Sequence, residues 1–123
     1  MTRSLTFDTG ALTALERRDR HIRSVVAMAF LRHDRITVPA AVVTEWWRGS
    51  PSQRAILATL MVEPLSQRLA MLAGEAIAKT ASTAVDAIVM ASAAQRGDVV
   101  YTSDVEDLQL LQTVFPAVRL FRA

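Results

Sequence analysis

Four acidic residues, Asp8, Glu45, Asp86 and Asp104, occupy positions where a carboxylate is either costly or useful. Asp8 directly follows the short β-leaning run Arg3–Phe7, and Asp104 stands three residues beyond Tyr101, the end of a second such run, Asp98–Tyr101. Glu45 and Asp86 interrupt apolar helical stretches, Val42-Val43-Thr44-Glu45-Trp46-Trp47 and Ala84-Val85-Asp86-Ala87-Ile88-Val89. A carboxylate desolvated among such neighbours costs several kcal/mol unless it is paired, protonated or bound to a cation. The chain has no cysteine, and His21 and His33 lie in charged, loop-like surroundings that mark them as solvated surface residues. An all-oxygen ligand set favours Mg²⁺ or Mn²⁺ over zinc or copper. Metal-assisted hydrolysis is the sharpest chemistry these residues suggest.

Each acid also has a structural reading. Thr83 with Asp86, and Ser103 with Glu106, fit the Thr/Ser-x-x-acid capping box of a helix start. Asp8 can cap a helix beginning at Thr9, and Glu45 can face solvent. Capping explains neither Glu45 nor the recurrence of acids at strand ends, whereas one shared cation site accounts for all four. Other chemistries lack their signatures. There is no Gly-x-x-x-x-Gly-Lys-Ser/Thr loop, no Gly-x-Gly-x-x-Gly turn and no Gly-x-Ser-x-Gly elbow, and Lys79 is the only lysine.

The elements that must position these acids follow from periodicity. Strands are expected over Arg3–Phe7, Ile36–Val38 and Asp98–Tyr101, a short extended piece over Met61–Leu65, and a final strand over Ala117–Phe121. Helical spacing covers Ala11–Leu15, Ile22–Phe30, a run opened by Pro39 through Ala40–Arg48, then Ser52–Leu60, Ser66–Ser82, Val85–Arg96 closed by Gly97, and Val105–Val114. Strands alternating with helices imply a three-layer α/β/α domain around a central, mainly parallel sheet. Ligands in such folds gather at the carboxyl ends of the strands, where Asp8 and Asp104 fall.

At 123 residues the chain has the length of a single domain, residues 1–123, and 51% hydrophobic residues suffice for a core. The longest apolar run, Val25 to Leu31, is far shorter than the ~20 residues that span a bilayer, and no basic-then-apolar leader opens the chain. A cytoplasmic protein without a membrane partner is therefore expected. The net charge of +2 is unevenly spread: residues 1–60 hold nine arginines against five acids, and residues 61–123 hold five basic against seven acidic residues. The first half is the natural place for a phosphate-facing surface. Thirteen of the fourteen cationic side chains are arginine, which suits bidentate phosphate contacts but equally reflects codon bias.

Taken together, Phe7-Asp8-Thr9-Gly10-Ala11-Leu12, Val38-Pro39 through Glu45, Val85-Asp86-Ala87-Ile88 and Tyr101-Thr102-Ser103-Asp104-Val105-Glu106-Asp107-Leu108 resemble, in order, the motifs of PIN-domain ribonucleases, in the short single-domain form of VapC toxins. The resemblance spans essentially the whole chain. It implies that Asp8, Glu45, Asp86 and Asp104 form the acidic pocket for Mg²⁺ or Mn²⁺, that Asp107 is an accessory acid, and that the Thr9 and Thr102 hydroxyls support the metal shell or touch phosphate. It further implies an RNA substrate, a homodimer, and a groove for a VapB-type antitoxin whose arm places an arginine among the acids. Gly10, where members often have serine, removes a hydroxyl near the pocket, and Leu108 replaces a frequent phenylalanine.

An acid-rich pocket repels phosphate, so cations at its rim must draw RNA in. Arg17, Arg18 and Arg20 after the first helix, and Arg48 one turn beyond Glu45, are the candidates. Trp46 and Trp47 project ~100° apart on a helix, so one is expected in the core and the other at a partner or RNA surface. Two readings compete with the RNA-cleaving toxin: a structure-specific DNA nuclease, and a PIN domain that binds nucleic acid or a partner without turnover.

Overall fold

A computed structural model describes residues 4–123; Arg3, assigned above to the first strand, lies outside them. Five strands, β1 (Ser4–Phe7), β2 (Arg35–Pro39), β3 (Met61–Glu63), β4 (Val99–Thr102) and β5 (Arg119–Arg122), form one sheet in the order β3-β2-β1-β4-β5. Every ladder is parallel, with Leu5 beside Ile36 and Val99, and Phe7 beside Tyr101. Parallel strands have all their carboxyl ends on one edge, and the order reverses between β1 and β4. A crevice therefore opens where these two strands end.

The connecting helices are α1 (Thr9–Glu16), α2 (Arg20–Leu31), α3 (Ala40–Trp46), α4 (Pro51–Leu57), α5 (Gln67–Thr80), α6 (Ala84–Arg96) and α7 (Val105–Gln109). Side chains alternate across a strand. Thr6 meets α6 on one face, through Arg96, while Leu5, Val99 and Tyr101 meet α2 on the other. The α/β/α layering expected from the sequence is thus present. Helix α6 is buried over Ala87–Ala93 without interruption, because α5 covers its outer side and the sheet its inner side. Its run of alanines and Ser92 lets both neighbours approach closely. Gly97, at φ 73°, ends the helix in the left-handed conformation that favours glycine.

Two elements differ from expectation. Pro39 does not open a helix: it is the last residue of β2, extended at φ −62° and ψ 143°, and stands at the cap position ahead of α3. That position makes no use of the missing N–H. The helix expected over Val105–Val114 divides into α7 and a 3₁₀ turn, Leu110–Thr113. Leu108 and Leu111 are both buried, and the tighter turn aligns side chains three residues apart.

Candidate active site

Asp8 leaves the carboxyl end of β1 and caps α1, its Oδ1 accepting from the Ala11 N–H at 2.9 Å. The capping reading and the pocket reading of Asp8 are compatible, since its second oxygen is left for other partners. Its side chain is buried, and that burial is the main force raising its pKa above the ordinary carboxylate value. Hydrogen bonds from Thr102 and the α1 backbone oppose the rise, and the negative charge of Asp86 adds to it.

Asp86 stands in the first turn of α6, whose N-cap Thr83 accepts from the Asp86 N–H at 3.2 Å, so that capping interaction is present. Asp86 is half-buried, and its pKa is raised first by burial and then by the charges of Glu45 and Asp104. Its charge acts in turn on Asp8, so each of the other three acids, distant in sequence, is within electrostatic reach of Asp86.

Of the two readings the sequence leaves for Glu45, the solvent-facing one holds: it is exposed on α3. It joins the site through Thr9, whose hydroxyl donates to Glu45 Oε1 at 2.5 Å. Buried Gln53 holds the end of α3, donating to the Trp46 carbonyl at 2.9 Å and accepting from the Arg48 N–H at 2.8 Å. Trp46 fills the core and donates to Glu16, while Trp47 lies half-buried beneath Arg54. A hydrogen bond with the Asp107 carboxyl raises the Asp104 pKa, with desolvation and the charge of Asp107 adding and Arg122 opposing.

Thr102 is fully buried, which takes it out of reach of a phosphate. Its hydroxyl bonds Asp8 and accepts from the Asp104 N–H at 2.9 Å, fixing the two strand-end acids relative to each other. Each acid is thus turned to a protein partner. Among the described residues, no three carboxylate or imidazole side chains are gathered tightly enough to hold one ion.

The cations divide. Arg48 shares a cleft of about 350 Å³ with Thr9 and Glu45. Arg17, Arg18 and Arg20 are exposed at the other end of α1, a helix of eight residues and so ~12 Å long. Sequence reasoning missed Arg122, which ends β5, lies 3.5 Å from Glu106 and acts on Asp104. Its signal was faint, a lone arginine at the end of an edge strand.

Ser103 does not cap α7, since the cap position falls on Asp104 without a side-chain bond. Instead it sits over Gly10: a Cβ at position 10 would lie 1.8 Å from Ser103 Oγ and 2.7 Å from its Cβ. The hydroxyl that a serine at position 10 would bring is replaced by one from the neighbouring strand end. Gly10→Ser is therefore expected to lower the melting temperature by several degrees, and Ser103→Gly in the same chain to restore it. Thermal unfolding of the two single variants and the double variant checks the coupling.

The fold, set beside solved structures, matches a chain of the VapBC2 complex of Rickettsia felis bound to promoter DNA, with a TM-score of 0.76 over 98% of each chain at 10% identity. The fold is PIN-like. A toxin–antitoxin complex from Klebsiella pneumoniae gives a TM-score of 0.73 at 20% identity over 93% of this chain and 94% of that one. FitAB bound to an IR36 DNA fragment gives 0.67 at 19% identity over 96% and 94%. No family model and no curated protein matches the chain. Among the described residues, no helix is long and apolar enough to cross a membrane.

Proposed function

We propose that the chain is a Mg²⁺- or Mn²⁺-dependent endoribonuclease that serves as the toxin of a toxin–antitoxin pair. The observation that carries this reading is the convergence of acids at the sheet crevice: Thr102 ties Asp8 to Asp104, Thr9 beside Asp8 holds Glu45, and Asp86 lies within charge reach of the other three. Four carboxylates with no histidine or cysteine among them suit a hard divalent ion. When bound, such an ion supplies charge neutralisation and Lewis acidity at the scissile phosphate. Asp8 and Asp86, already raised in pKa by burial, gain most from a nearby cation. Glu45 is positioned by Thr9, and Thr102 fixes the spacing of Asp8 and Asp104. Asp107 holds Asp104, and Arg48 and Arg122 draw the phosphate chain toward the acids.

The solved complexes that share the fold are toxin–antitoxin assemblies, which supports an antitoxin partner here. A hollow of about 360 Å³ between α1, α2 and α4, lined by Leu15, Val26, Phe30 and Ile56 with Arg18 and Arg23 beside them, offers that partner an apolar floor. A second copy of the chain would cover the exposed Met61, Val62, Leu65 and Met71 at the β3 end of the sheet.

The test is cleavage of an unstructured RNA and of a DNA of the same sequence by the purified chain, with Mg²⁺ and with excess chelator. RNA cleavage that chelator abolishes is the expected result. Equal cleavage of DNA would favour the broader nuclease reading. Binding without cleavage of either would leave a nucleic-acid-binding domain.

A further inference from the structure

A second concave site lies on the α2 side of the sheet. The groove between α2 and the β4–β5 edge has a volume of about 350 Å³, within the ~300–1,000 Å³ of small-ligand sites. His21 and Arg32 lie at the two ends of α2 along it, Met28 lies between them, and Tyr101 and Phe121 line the sheet side. Tyr101 and Phe121 are stacked, with ring centroids 5.6 Å apart and planes 25° from parallel. Phe121 is 38% exposed on the edge strand, and the Arg119 guanidinium lies over it at 5.7 Å.

Arg122 stands between the groove and the acids. Arg122 presents its guanidinium to Glu106 and Asp104 at the carboxyl edge, while its backbone carbonyl accepts from His21 Nε2 at 3.0 Å. A strand crossing the acids thus meets the His21 end of the groove at Arg122. Stacked aromatics beside cations are what unpaired bases bind, and base stacking tolerates any sequence. The charges agree: Arg32 lines the groove and Arg119 lies over Phe121, against one acid in its lining, Asp34.

We propose that this groove is a nucleobase subsite, taking an unpaired base of the RNA strand whose phosphate lies at the acids and packing it against Tyr101 and Phe121. The direction of the strand rests on the nuclease reading; the base site itself does not. An unpaired strand is required, because a duplex cannot turn a base into the groove without opening.

Tyr101 is the only tyrosine in the chain, so incorporation of 3-fluorotyrosine places a single ¹⁹F nucleus in the groove. Binding is measured in chelator with the full chain, using a short unstructured oligoribonucleotide and an abasic strand of equal length. The base-bearing strand is expected to bind about 5–100-fold more tightly and to shift the ¹⁹F resonance. Phe121→Leu should remove most of that advantage while leaving affinity for the abasic strand unchanged. Equal affinities, or a resonance that RNA does not move, would overturn the proposal. So would a resonance that moves with protein concentration alone, which assigns the groove to contact between copies. If Phe121→Leu fails to fold, the fluorine titration of the unsubstituted chain decides. Cleavage is not the readout: a chain that shows the base preference but cuts nothing loses the nuclease reading alone.

Discussion

Asp8→Asn is expected to reduce metal-dependent RNA cleavage by more than about 100-fold, since altering residues that only orient metal ligands already costs ~10–100-fold. The same substitution is expected to stabilise the protein. The folded-state pKa of Asp8 is raised above the ordinary carboxylate value, chiefly by burial, so its ionised form is disfavoured in the native state. For an acid raised in this way the penalty is absent below the unfolded pKa, grows as pH rises, and is complete above the folded pKa. Asparagine has nothing to ionise, yet its carbonyl oxygen can still accept the Ala11 N–H. The variant should therefore melt above the unsubstituted chain at pH 7, with the difference disappearing toward pH 4. Millimolar Mg²⁺ should raise the melting temperature of the unsubstituted chain and leave Asp8→Asn nearly unchanged, because only a ligand that binds the native state shifts the equilibrium. Calorimetry across pH 4–7, with and without Mg²⁺, together with an RNA cleavage assay, reads all three effects.

The largest loss of stability is expected from Arg96→Ala. Arg96 ends α6 and lies across the sheet, donating from Nε to Asp98 at 2.8 Å, from Nη1 to Glu63 at 2.5 Å, and from Nη2 to Thr6 at 2.9 Å and Ser92 at 2.8 Å. One guanidinium thus ties β1, β3, the start of β4 and α6 together. Asp98 is 1% exposed, and its Oδ1 has no hydrogen-bond partner among the described residues, so Arg96 carries most of the compensation for that charge. Removing one member of a buried pair leaves the other uncompensated, at about 3–5 kcal/mol. Urea denaturation of Arg96→Ala should show a loss of that size, and adding Asp98→Asn should recover part of it. A loss under about 1 kcal/mol would mean that water replaces the guanidinium.

The order of the elements and the α/β/α layering were legible because short β-leaning runs and amphipathic helical spacing are local properties. Asp8 and Asp104 stood out for the same reason, each being next to a recognisable strand. Pro39 was misplaced because a proline suits both the last strand position and the first helical one, and the choice depends on the ladder with β3. Apolar neighbours in sequence leave Glu45 open to both a desolvated and a solvent-facing reading, and the choice on a seven-residue helix depends on what α1 and α6 leave uncovered.

The sequence by itself determined the types and order of the elements, the strand ends that carry acids, and a donor set suited to a hard cation. All of these follow from backbone periodicity and side-chain chemistry within a few residues. Only the tertiary structure decided that Asp86 lies within charge reach of the other acids, that Ser103 occupies the space above Gly10, that the Arg122 carbonyl meets His21, and that Arg96 ties β1, β3 and the start of β4 together. Those pairings join residues up to 101 positions apart, as His21 and Arg122 are. They exist because parallel crossovers bring distant strands into register on one edge, a geometry that no local window of sequence contains.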